Sequence, residues 1–126
     1  MSIQGYIPKY TTKLNSSVSI SATSGSAIFP SALTAPGYGI LHILISVSEP
    51  GTLQIQITDY NQTGPGSYTS VTTTTYLNAG NALSANTLYE FDIAADAGMQ
   101  INLIWTSSSS SVTSATVFVI VLFEQF

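Results

Sequence analysis

Between Ile40 and Val47 the chain alternates without a break. Leu41, Ile43, Ile45 and Val47 fall on one side of an extended backbone, and Ile40, His42, Leu44 and Ser46 fall on the other. A period of two belongs to a β-strand, whose successive side chains leave opposite faces, and not to the 3.6-residue period of a helix. The pattern recurs in Val18, Ile20 and Ala22, and in Leu53, Ile55 and Ile57 against Gln54, Gln56 and Thr58. It returns in Tyr89, Phe91 and Ile93 against Glu90 and Asp92, and in Met99, Ile101, Leu103 and Trp105. No amphipathic helical repeat lasts three turns, so the chain reads as all-β. Strands are expected over Ser17–Ala22, Ala27–Phe29, Ile40–Val47, Thr52–Thr58, Tyr68–Tyr76, Leu88–Ile93, Met99–Trp105 and Thr116–Phe126.

Turn chemistry separates them. Pro50 presets φ and Gly51 permits positive φ after Glu49, and Asp96-Ala97-Gly98 makes a second turn. Asn61 to Gly66 reads as a Gly/Pro-rich loop, Asn78 to Asn86 has room for one helical turn, and the serines from Ser107 to Ser111 read as a mobile loop. Eight strands at short intervals predict an eight-stranded antiparallel β-sandwich, a single jelly roll. Residues 1–15 are expected to form an extended N-terminal arm and residues 16–126 the sandwich domain.

The last strand is the unusual one. Val117, Val119, Val121 and Phe123 alternate with Phe118, Ile120 and Leu122, so both of its faces are apolar. A jelly roll places this strand centrally beside the first, which protects its edges. Its second face still needs a cover, either the arm or another subunit.

A chain of 126 residues supports one core of useful size. Only 6% of it is charged, with two Lys, no Arg, six carboxylates and one His, against about 25% in an ordinary domain. Polarity comes instead from 19 Ser and 16 Thr. A net charge of −4 without arginine excludes a nucleic-acid-binding face, which needs clustered cations. The absence of Cys excludes disulfides, thiolate metal sites and cysteine nucleophiles. Global disorder is excluded by a hydrophobic content of 44%. With so few groups to protonate, the chain is expected to tolerate strong acid. Its first residues lack the basic start and apolar stretch of a secretory signal, so export by that route is not expected. The apolar run from Val117 to Phe123 is far short of the roughly 20 residues of a membrane-spanning helix.

No motif names a chemistry. A hydrolytic triad would have to use His42, which lies inside an apolar strand and reads as a structural or interface residue. Glu90, Asp92 and Asp96 form the one acidic cluster, a solvated face or at most a weak cation site. Neither catalytic residues nor a cofactor or metal site is expected. Asn15-Ser16-Ser17 and Asn61-Gln62-Thr63 match the glycan-acceptor pattern. Tyr38, Tyr60 and Tyr68 fall in or near loops, where their rings can stack on a sugar or on a receptor. This leaves a carbohydrate- or receptor-binding sandwich, such as a fibre or spike head, as the alternative function.

Charge placement says more. Lys9 and Lys13 precede the first strand, and Glu49, Asp59, Glu90, Asp92, Asp96 and Glu124 all follow Ser48. A cationic arm before an anionic sandwich suits docking onto a neighbouring copy or onto a layer beneath. On the arm Ser2–Asn15, the eight-strand series, the stretch from Leu88 to Leu103 (LYEFDIAADAGMQINL) and the apolar last strand, the chain resembles the single jelly-roll structural proteins of viruses. The resemblance is strongest to those of archaeal viruses from hot acidic habitats; it is architectural and compositional, and it spans nearly the whole chain. It implies a non-enzymatic capsid or virion-surface subunit, made in the host cytoplasm and later exposed outside the cell. Its implied partners are copies of itself and other virion proteins, with a glycan or host receptor as a further possibility. In that family, arms and loops make the contacts between subunits. The matching positions here are Lys9 and Lys13 with Tyr6 and Tyr10 beside them. Phe118, Ile120, Leu122 and Phe126 of the last strand complete the expected interface.

Overall fold

The computed structural model describes residues 11–126, so Tyr6, Lys9 and Tyr10 lie outside the described residues. Ten strands follow one another: β1 (Thr11–Lys13), β2 (Ser19–Thr23), β3 (Ser26–Ala27), β4 (Leu33–Thr34), β5 (Gly39–Val47), β6 (Gly51–Gly64), β7 (Ser67–Tyr76), β8 (Tyr89–Ala95), β9 (Gln100–Ser107) and β10 (Ser114–Gln125). One sheet runs β1-β10-β5-β8 with β2 also on β10, and the other runs β3-β9-β6-β7 with β4 also on β9. Every pairing is antiparallel.

β1 and β2 lie in succession along one edge of β10, pairing with residues 122–124 and 114–118. β3 and β4 divide the edge of β9 in the same way. Counting each such pair as one broken strand, the two sheets read 1-8-3-6 and 2-7-4-5, which is the strand order of a jelly roll. The expected fold is the one observed, and the last strand is central, flanked by β5 over Val117–Gln125.

The period-two residues fill the space between the sheets. Leu41, Ile43, Ile45, Val47, Val117, Val119, Val121 and Phe123 from one sheet meet Leu53, Ile55, Ile101, Leu103 and Trp105 from the other, all almost fully buried. Each such side chain contributes roughly 1.5–3 kcal/mol by leaving water, and this burial drives the closure of the sandwich.

Three local expectations are revised. The first strand is split, and Thr11–Lys13, expected in the arm, pair with β10. Asn61 to Gly64, expected in a loop, extend β6, and only Pro65 and Gly66 turn the hairpin, with Gly66 at φ +73. Polar residues without an apolar alternation look like a loop in sequence, yet here backbone pairing with β7 makes them a strand. The serine tract is knitted by its own hydroxyls: Ser107 Oγ donates to the Ser109 carbonyl at 2.8 Å, and the hydroxyls of Ser109 and Ser111 lie 2.8 Å apart. Asn102 points away from the core but is buried, because its side chain clamps Phe29, accepting from its N–H at 3.0 Å and donating to its carbonyl at 2.9 Å. Where a helical turn is expected, Asn78–Gly80 form a 3₁₀-type turn with positive φ at all three residues (55, 54 and 80), so the turn is left-handed.

Candidate functional site

Strand pairing lays out the solvent-facing side of the first sheet in rows. Lys13, Leu122, His42 and Asp92 form one row across β1, β10, β5 and β8. Thr11, Glu124, Ile40 and Ala94 form the next, and Ile120, Leu44 and Glu90 lie on the other side. Ser19, Phe118 and Ser46 follow. The centre of this face is therefore an apolar stripe of Phe118, Ile120 and Leu122 on β10, with Leu44 and Ile40 beside it on β5. Phe118 is 41% exposed, the other four are half-buried, and Phe126 at the strand end is 82% exposed.

His42 stands between the stripe and the carboxylates. Its Nδ1 lies 2.7 Å from Asp92 Oδ1 and 3.7 Å from Glu90, and its Nε2 lies 3.7 Å from Glu124. Partial burial pushes its pKa down, but the hydrogen bond to Asp92 and the negative charges of Asp92, Glu124 and Glu90 outweigh this and raise it above the ordinary value. When His42 is protonated, the arrangement is an ion-pair network that links β8, β5 and β10 across the face of the sheet. Donor atoms of His42, Glu90 and Asp92 lie within 4.8 Å of one another, so among the described residues these three could together offer ligands to a divalent cation.

Asp96 does not join them, contrary to the expected acidic cluster. It meets Asp59 of β6 instead, and the hydrogen bond between the two carboxyls raises the Asp96 pKa. The pairing of His42 with Asp92 follows from a jelly-roll order that sets the third strand beside the sixth. Asp59 and Asp96 are brought together by a turn, and no sequence pattern marks them.

The three tyrosines are exposed, Tyr38 by 65%, Tyr60 by 64% and Tyr68 by 65%. Tyr60 and Tyr68 share the outer face of the β6–β7 hairpin, where Tyr60 pairs with Ser70. Tyr38 precedes β5 at the same end of the sandwich, and its carbonyl accepts the Phe126 N–H at 3.2 Å. A shallow pocket lined by Leu14, Asn15, Ile20, Phe29 and Leu33 opens elsewhere and includes none of these rings. The first glycan-acceptor match is closed: Asn15 is buried, and both Nδ2 hydrogens have acceptors, Ser17 at 3.0 Å and Val119 at 2.8 Å. Asn61 is exposed near the hairpin tip.

No family model and no curated protein matches this chain. A solved structure does. Over 94% of this chain and 33% of that chain, the fold aligns with a chain in the structure of infectious bursal disease virus, Gx strain, with a TM-score of 0.53 and 16% identity. The present chain thus spans about a third of the length of the viral chain. At this identity the likeness is one of fold. It shows the β-sandwich fold and carries nothing specific to archaeal viruses.

Proposed function

We propose that the chain is a structural subunit of a virus particle, a capsid or surface protein that assembles with copies of itself and with other virion proteins. The observation that carries this reading is the double use of β10. Its inner residues fill the core, while Phe118, Ile120 and Leu122 set an apolar stripe in the middle of the opposite face. Side chains of this kind at the centre of a sheet are the mark of a surface that meets another protein. Lys9 and Lys13 supply cations for anionic neighbours, and the carboxylates around His42 are one such target on an adjacent copy. The subunit is made in the host cytoplasm and faces the outside in the finished particle. Its few ionisable groups suit the acidic habitats of the archaeal viruses it resembles.

Light scattering of the purified chain, together with electron microscopy and a protein inventory of particles, tests the proposal. Assembly into particles, or recovery from virions in many copies, supports it. A strictly monomeric chain at high concentration that is absent from particles overturns it.

A second reading has its own support in the three exposed tyrosines at one end of the sandwich. Such rings can stack on sugars, as in a fibre or spike head. Binding to a glycan array that disappears in Tyr60→Ala and Tyr68→Ala variants favours this reading.

A further inference from the structure

Strand β7 forms the outer edge of the second sheet and lacks the devices by which proteins blunt such an edge. All ten of its residues are exposed, and its only strand partner among the described residues is β6. It contains no proline and no charge, and residues 60–89 as a whole carry none. The one irregularity of its hairpin falls between Gln62 and Gly64, on the other strand. A long, regular, uncharged edge rich in β-branched residues offers its outward backbone groups to any strand that matches it.

Its own sequence says which strand matches. From Tyr68 to Tyr76 the residues YTSVTTTTY read nearly the same in both directions about Thr72. Tyr68 corresponds to Tyr76, Thr69 to Thr75, Ser70 to Thr74 and Val71 to Thr73. In an antiparallel pair with a two-fold axis at Thr72, each residue faces its counterpart in the second copy. Tyr68, Ser70, Thr72, Thr74 and Tyr76 alternate onto one side of the hairpin, the side of Tyr60, Thr58 and Gln56. Pairing therefore sets tyrosine across from tyrosine and hydroxyl across from hydroxyl, which are favourable cross-strand pairs. In a chain of net charge −4, it also joins two copies along strands that themselves carry no charge, with Asp59 set back one strand, opposite Val71.

We propose that β7 is a homotypic contact in which two copies join edge to edge, antiparallel and in register about Thr72, so that one sheet runs through both. The proposal rests on the reading of the chain as a self-assembling subunit and adds the partner strand and its register. The nine matched residues give about 30 Å of ladder, and one added strand pair covers less than a standard interface of roughly 800 Å² per partner. The contact is thus a weak dimer alone and one of several contacts in an assembly.

Charge placement tests the register. Ser70→Lys with Thr74→Lys sets lysine against lysine at two positions across the axis, whereas Ser70→Lys with Thr74→Glu sets lysine against glutamate at the same two. Sedimentation at high concentration is expected to show dimers for the wild-type chain and the Lys/Glu variant. The Lys/Lys variant is expected to dimerise about tenfold more weakly, with an unchanged circular dichroism spectrum. Equal association of the two variants, or of the Lys/Lys variant and the wild type, overturns the contact. If particles form equally from wild-type and Lys/Lys chains, the β7 contact fails and the subunit reading stands. A dimer that obeys the charge pattern but never enters particles does the reverse.

Discussion

The side chain of Asn15 stands in for a strand residue beside Val121. Its Oδ1 accepts the Val121 N–H at 2.9 Å, and its Nδ2 donates to the Val119 carbonyl at 2.8 Å. One amide thus bridges the stretch of β10 between the segments paired with β1 and β2, where the Val18 carbonyl accepts the Val119 N–H at 2.8 Å and the Leu14 N–H donates to the Val121 carbonyl at 2.9 Å. Asn15→Ala leaves a buried donor and a buried acceptor without partners, at a cost of roughly 1–3 kcal/mol each. A lower urea midpoint with an unchanged m-value is the expected result.

Gly51 touches the largest buried side chain. A Cβ there would enter the Trp105 indole and the Thr106 carbonyl, both too close to give way without a shift. Gly51→Ala is expected to destabilise by about 1–3 kcal/mol through overpacking and to alter tryptophan fluorescence. Gly64→Ala is the control, since a Cβ at that position meets nothing within 4 Å.

The pKa values of His42 and Asp96 are both raised in the folded state. A raised value means that the native state holds its proton more tightly than the unfolded chain. The resulting stability is fully present below the unfolded value and is lost as pH rises through the folded one. The unfolded references are 6.5 for His42 and 3.8 for Asp96, so both contributions grow on acidification. Glu90 and Asp92 on β8 and Glu124 on β10 face the imidazole, and Lys13 on β1 lies in its row. Thermal midpoints in chelator-treated buffer are expected to hold or rise from about pH 8 to about pH 5. Asp92→Asn is expected to flatten the upper part of that profile, and a steady fall in the wild-type chain over this range counts against the assignment.

Much of this architecture is legible in the sequence because period-two alternation survives wherever a strand has one wet face. Leu41 to Val47 and Met99 to Trp105 are buried as the pattern requires. Alternation says nothing where both faces are wet, so the outer half of β6 has the look of a loop in sequence. It is equally silent on long-range polar contacts: the Asn15 bridge spans more than a hundred residues, and the Asp59–Asp96 contact depends on how a turn lies against another strand. The His42 network needed only the order of the strands, since His42 and Asp92 are opposed in register.

β10 allows folding and assembly to be separated within one strand. Phe123 is 1% exposed and belongs to the core, whereas Phe118 is 41% exposed on the opposite face. Phe123→Ala is expected to cost roughly 3–5 kcal/mol by leaving a cavity, and to affect association only through loss of the fold. Phe118→Ser removes a side chain that the folded monomer leaves 41% exposed, so its cost to stability should stay well below that of Phe123→Ala. Combined with Leu122→Ser, it is expected to move the light-scattering mass toward the monomer while the urea midpoint falls only modestly. Unchanged association in the double variant would remove the apolar stripe from the assembly surface and leave the edges to hold copies together.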